Sequence, residues 1–126
     1  MSKALRAEVI VAYNKYLKAF IGNDIDGINA CVQFPVAYIG DGKVLMLDEF
    51  PIKPGELKAA KGWINTDSFE MDVVAVGKKK AHLLMRNCRR LREDGSLIEE
   101  ASAFYAYTKT SDGWKIYALS DIVFPA

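Results

Sequence analysis

The chain has 126 residues, 51% hydrophobic and 26% charged, the composition of a globular domain long enough to bury a core without metal or disulfide staples. Lysine and arginine number 17 against 16 acidic residues, so the formal net charge of +1 supplies no overall field to draw in nucleic acid or anionic lipid. One histidine and two distant cysteines, Cys31 and Cys88, exclude a disulfide framework and offer no metal-ligand spacing; both cysteines read as small buried hydrophobes.

The first residues, Met1 to Glu8, lack the apolar core of a signal peptide, and no stretch reaches the length of a membrane span. The expectation is a cytoplasmic protein folded as one domain over 1–126, with no nucleic-acid, membrane or metal partner and no cofactor. From Ala4 to Ile21 the residues Leu5, Val9, Ala12, Tyr13, Tyr16, Leu17 and Phe20 recur at three- and four-residue intervals, which predicts an amphipathic helix. Ser2 is placed to cap it and Gly22 to stop it in the left-handed conformation; Asp24 then caps a short helix carrying Ile25, Ile28 and Val32. Phe34-Pro35 ends helical structure. Val36 to Ile39 and Val44 to Leu47, parted by Gly40-Asp41-Gly42, read as a short hairpin. A third helix is expected over 55–64, with Leu57, Ala60, Trp63 and Ile64 inward.

Four longer strands follow, at about Ser68 to Val76, Ala81 to Arg92, Leu97 to Thr110 and Trp114 to Phe124. The last two turns carry Asp94-Gly95 and Asp112-Gly113, a strong hairpin signal because the favoured tight turn needs positive φ at both central positions. Short turns make the block antiparallel and the class α+β, helices on one sheet face. Pairing about Asp94-Gly95 sets Arg90 opposite Glu99 and Arg89 opposite Glu100, on opposite faces. Gathering the large apolar residues on one face puts Met71, Val73, Leu83, Met85, Phe104, Ala106, Trp114 and Ile116 beneath the helices, with Asn87, Arg89, Glu100, Ser102 and Ser120 at the polar end. The other face then carries His82, Arg86, Cys88, Tyr105, Tyr107, Tyr117, Leu119 and Asp121, a mixture suited to a subunit interface.

The order of elements, with Asn23-Asp24, Phe34-Pro35 and the closing Gly113-Trp114-Lys115-Ile116, resembles the NTF2-like superfamily over the whole chain. That α+β cone is shared by nuclear transport factor 2, ketosteroid isomerases, scytalone dehydratase, limonene epoxide hydrolase and SnoaL-type polyketide cyclases. The resemblance implies three N-terminal helices on a curved antiparallel sheet, a conical pocket between them, and a homodimer through the other sheet face, here that of His82, Arg86, Tyr105, Tyr107 and Tyr117.

The chemistry the superfamily is known for is not carried over. In ketosteroid isomerases a tyrosine on the first helix donates to an oxyanion and a carboxylate just before a proline is the base. Tyr16 matches the tyrosine, but Phe34 stands where the base belongs, and 101–111 has no carboxyl group to act as second donor. Scytalone dehydratase chemistry needs more than one histidine, and the Asp-Arg-Asp spacing of the epoxide hydrolases is missing from the arginines between Arg86 and Arg92. The remaining catalytic candidates are Tyr16, Arg89, Glu100 and Asp121, the last facing the pocket only if the final strand is shifted by one residue. The expected ligand lining is Tyr16, Phe20, Phe34, Tyr38, Trp63, Met85, Asn87, Phe104 and Ser120, for a small, mostly apolar molecule. Three functions stay open: a ligand-binding homodimer, a SnoaL-type enzyme on a cyclic or polyketide-like substrate, and a non-catalytic dimerisation module whose cone is filled by its own side chains.

Overall fold

The computed structural model describes residues 2–66 and 69–126. Helix α1 (Lys3–Ile21) begins where the Ser2 side chain accepts from the Leu5 N–H at 3.2 Å, and it buries Val9, Tyr13, Tyr16, Ala19 and Phe20 along one stripe. Its stop differs from expectation. Gly22 has φ −78°, and Asn23 at φ 53° supplies the left-handed residue, a role asparagine tolerates better than most side chains. Helix α2 (Ile25–Ala30) is capped by Asp24, whose carboxylate accepts from the Gly27 N–H at 3.0 Å, and it buries only Ile28.

Strand β1 (Val32–Ile39) pairs antiparallel with β2 (Val44–Leu47) and parallel with the last strand. Helix α3 (Pro54–Lys61) is shorter than the periodicity predicts, because Gly62 ends it at φ 69°. Its expected inward side forms only in part, with Leu57 half-buried against the core. Ala60 and Ile64 are exposed, Pro54 is the helix's buried residue, and the buried Trp63 lies beyond the helix end. Strands β3 (Asn65–Thr66), β4 (Glu70–Val76), β5 (Lys80–Leu91), β6 (Leu97–Thr110) and β7 (Gly113–Pro125) complete the sheet; the Ser68 start expected for β4 lies outside the described residues.

The sheet runs β2-β1-β7-β6-β5-β3, with β4 on the free part of β5. It is therefore mixed rather than antiparallel throughout: β1 follows a helix, not a hairpin, and enters beside β7 in the same direction. One long helix and two short ones cover the inner face, so a layer of three comparable helices is not what forms. In both Asp-Gly turns only the glycine is left-handed, Gly95 at φ 84° and Gly113 at φ 106°. At the first, Arg92 N–H bonds Ser96 O at 2.9 Å and Gly95 N–H bonds Arg92 O at 3.0 Å, a three-residue loop in which one left-handed residue suffices. The register there sets Arg90 opposite Glu99 and Arg89 opposite Glu100, as the sequence predicts.

The faces agree with expectation at Val73, Leu83, Met85, Trp114 and Ile116, and are reversed along β6 and beyond a bulge in each of β5 and β7. Two β-bulges decide this. Between Met85 and Cys88 strand β5 spends three residues where β6 spends two, with Asn87 at φ 56°; between Ile116 and Ala118 strand β7 carries an extra residue, Tyr117. Inward residues are thus Leu83, Met85, Cys88 and Arg90 on β5, Glu99, Ala101, Ala103, Tyr105 and Tyr107 on β6, and Trp114, Ile116 and Leu119 on β7, all buried. Tyr105 and Tyr107, expected on an interface face, are core residues. Phe104 and Ala106, expected in the core, lie on the outer face, where Phe104 packs on His82 at 5.3 Å. Among the described residues no helix is long and apolar enough to cross a membrane.

Candidate functional site in the cone

The space between α1 and the inner sheet face is filled mainly by aromatic rings. Tyr16 is the hub: its ring meets Tyr13 at 5.7 Å, Phe20 at 5.9 Å, Phe50 at 5.7 Å and Tyr105 at 5.5 Å. The edge and tilted geometries suit the quadrupoles of such rings. Opposite them β6 presents Ala101 and Ala103, small residues that leave room for rings delivered by the helix. Trp63 closes the other side against Phe20 at 5.7 Å, its Nε1–H donating to Thr66 Oγ1 at 3.2 Å and the Lys58 ammonium 5.5 Å from the ring. What remains is a cavity of about 30 Å³. That is room for about one water molecule.

The cavity wall is nevertheless chemically mixed. The Tyr16 and Tyr105 hydroxyls lie 3.4 Å apart. Burial first, and the neighbouring Tyr105 phenol second, hold the Tyr16 phenol well above its ordinary pKa, so it is a neutral donor throughout the physiological range. Arg90 lines the cavity and pairs with Glu99 at 2.5 Å, while Lys61 of α3 reaches the other oxygen of the same carboxylate at 2.6 Å. Burial works to raise the Glu99 pKa, but hydrogen bonds from Lys61 and Arg90 outweigh it and leave the group below the usual glutamate value. Asp121 lines the cavity from β7 and accepts from the Tyr38 hydroxyl at 2.5 Å. That hydrogen bond to a carboxylate, with burial second, pushes the Tyr38 phenol up to about 12.

Of the expected lining, Tyr16, Phe20, Trp63 and Met85 meet at the cavity, and Tyr38 reaches its edge through Asp121. Phe34 is half-buried beside the core and does not line the cavity. Asn87, Phe104 and Ser120 belong elsewhere: Asn87 is the exposed bulge residue bonded to Glu70 at 3.0 Å, Phe104 is on the outer face, and the Ser120 hydroxyl donates to Ile39 O at 2.8 Å. Of the catalytic candidates, Tyr16 and Asp121 are at the cavity. Arg89 and Glu100 are not; the bulge at Asn87 turns them outward, where they stand 3.7 Å apart, each with roughly two-fifths of its side chain exposed. Arg90 and Glu99 hold the inward place instead.

Sequence reasoning missed Tyr105, Cys88 and Arg90 as cavity residues. A signal for β6 was present: its odd positions from Ala101 to Tyr107 are all apolar or aromatic, whereas the even set includes Ser102 and Thr108. Among the described residues no group of three or more His, Cys, Asp or Glu is placed to hold a metal ion.

No protein-family model matches the chain, and no curated protein does. Solved structures do match. A protein of unknown function from the DUF3225 family of Pectobacterium atrosepticum superposes with TM-score 0.67 at 18% identity, over 98% of this chain and 93% of that one. An NTF2-like protein of unknown function from Shewanella baltica gives 0.62 at 10% identity, over 100% and 99%. A candidate dehydratase of the NTF2-like family from Streptomyces avermitilis gives 0.60 at 18% identity, over 92% and 93%. The chain thus has the NTF2-like, cystatin-like fold; at these identities the likeness concerns architecture, and chemistry rests on the residues themselves.

Proposed function

We propose that this chain is a homodimeric NTF2-like module whose cone serves as its core, with association through the outer sheet face as its working property. The observation that carries this reading is the cavity of about 30 Å³. Clefts that hold small molecules measure roughly 300–1,000 Å³. The outer face supplies the complementary support. Residues directly opposite in the register share a face, so Met46, Ala37, Ala118, Ala106 and His82 form one row across it, with Ile39 and Val44 as a neighbouring pair. On that side Val44, Met46, Ile122 and Phe124 are 60%, 62%, 61% and 55% exposed, a concentration of large apolar side chains that a partner would cover. The interface is therefore drawn at the β2-β1-β7 corner. His82, Arg86 and Tyr117 remain on its flank, and Tyr105 and Tyr107 leave it.

Sedimentation velocity on the full chain tests the reading. A dimer is expected at micromolar concentration, and Met46→Glu combined with Phe124→Glu yields a monomer with unchanged far-UV circular dichroism. A monomeric wild type, or a double variant that still dimerises, overturns it.

The Tyr38 and Asp121 pair supports a second reading, in which the cone opens to admit a small cyclic or polyketide-like molecule with Asp121 as base and Tyr16 as donor. Native mass spectrometry separates the two. A small molecule retained by wild type and lost in Asp121→Asn, without change of oligomeric state, favours the second.

A further inference from the structure

A cleft of about 470 Å³ lies outside the cone, between α1 and the β6–β7 hairpin, and neither reading above uses it. Its floor is made by Ala4, Ala7 and Val11 of α1 together with Ala30 and Trp114. Val11 is 68% exposed, more than any other large apolar side chain among the described residues. An apolar floor is one half of the observation. The other is the border.

Lys15, Lys109 and Lys115 stand along the cleft, and a backbone bond from the Lys109 N–H to Lys79 O, at 2.9 Å, brings the Lys78-Lys79-Lys80 turn to its end. Among the described residues Lys109 is paired, by Glu8 at 2.5 Å, whose Oε1 also accepts from Trp114 Nε1–H at 3.0 Å, and Asp112 of the β6–β7 turn lines the cleft as a second carboxylate. Lys115 donates to the Ala30 carbonyl at 2.5 Å, which leaves its charge uncancelled, and among the described residues no carboxylate lies within ion-pair distance of Lys15 or Lys115. Three lysines against the carboxylates of Glu8 and Asp112, with the Lys78-Lys79-Lys80 turn at the end, leave the border positive over an apolar floor.

We propose that the cleft is a docking groove for an acidic amphipathic helix of a partner protein. Shape selects among anionic partners. A small molecule would leave much of its surface in water in so open a groove, against the deep burial that small-molecule sites provide. A bilayer is flat and cannot reach a concave floor. A helix fits both dimensions: Ala4 to Lys15 spans about 16 Å of α1, three turns of a partner helix, and alanines at Ala4 and Ala7 allow axes to approach at about 8 Å. Its apolar stripe would cover Val11 and Trp114, and its carboxylates would face Lys15 and Lys115.

The test is a titration of the 15N-labelled full chain, followed by amide chemical shifts, with an 18-residue helical peptide bearing leucine on one stripe and glutamate elsewhere. A second peptide with lysine in place of glutamate and vesicles of phosphatidylserine serve as comparisons. Shifts are expected at Ala7, Val11, Ala12 and Lys115 with the acidic peptide only, and affinity should fall with added salt. Lys15→Glu combined with Lys115→Glu should weaken binding about tenfold, the size expected when two surface attractions become repulsions. Val11→Asp, at an exposed site where folding is not at stake, should weaken it as well. The proposal is overturned by absent shifts, by shifts confined to the outer sheet face, by equal binding of both peptides, by undiminished binding of the double variant, or by vesicle binding in place of peptide binding.

Discussion

Two glutamates adjacent in sequence should respond to truncation in opposite measure. Glu99 is buried and holds both the buried Arg90 at 2.5 Å and Lys61 at 2.6 Å, whereas Glu100 meets Arg89 at 3.7 Å on a partly exposed face. Glu99→Ala strands a guanidinium away from water, and breaking a buried pair in this way costs about 3–5 kcal/mol. Glu100→Ala removes a screened surface pair, worth about 0.2–1 kcal/mol. With a urea slope of about 1.5 kcal/mol per molar, the first variant should lose roughly 2–3 M from its unfolding midpoint and the second less than about 0.7 M. Replacing the pair together, Arg90→Met with Glu99→Leu, should recover most of the loss, because no charge is then left buried. The native Glu99 pKa is depressed, so its stabilisation is present above the ordinary glutamate value and is lost as pH falls through the lower native one. The gap between wild type and Glu99→Ala should therefore narrow on acidification. Equal losses for the two alanine variants would refute the assignment of faces and with it the Asn87 bulge.

Tyr38 offers an alkaline counterpart. Its phenol should titrate at about 12 by ultraviolet absorbance and fall back toward the ordinary tyrosine value in Asp121→Asn; because the native value is raised, the stability it contributes is present at neutral pH and disappears as pH rises through about 12. A Tyr38 titration unmoved by Asp121→Asn would remove the hydrogen bond from consideration. Tyr107 is a different kind of test, since its buried hydroxyl has no hydrogen-bond partner among the described residues. Tyr107→Phe should be neutral or stabilising by up to about 1 kcal/mol in thermal unfolding, and a clear loss would mean that a partner, such as a buried water, satisfies it.

Much of the architecture was legible because each element announces itself over a short range. The α1 stripe, the Asp24 cap and the span of β6 follow from periodicity and turn chemistry alone. So did the pairing of Arg90 with Glu99 across the first Asp-Gly turn. What failed was the step from register to face. The rule that large apolar residues gather inward put Phe104 ahead of Ala103 and Tyr105, yet the rings of α1 and Trp63 already fill the space above part of β6, which meets them there with Ala101 and Ala103 and adds its own Tyr105 and Tyr107. The complement of a bulky helix face is a small strand face, and local pattern cannot show which element supplies the bulk. The bulges added a second failure of the same kind. Nothing in Arg86-Asn87-Cys88 marks an extra residue except an asparagine able to adopt positive φ, so Arg89 and Cys88 were assigned each other's side. Asp121 reached the cavity by the same device on β7, where the extra Tyr117 shifts every later residue by one place.

The extra residue at Asn87 gives strand β5 a kind of reading frame. Residues on either side of it are in phase with the core only because one position is skipped, as Met85 and Cys88 both face inward across it. Deleting Asn87 would therefore leave both halves of the strand in phase and remove only the bend, while deleting Cys88 would put Arg89 in its inward place and send Arg90 to solvent. The strand can lose its curvature without losing its pattern, and the one residue that permits this is the one whose side chain contributes nothing to the core.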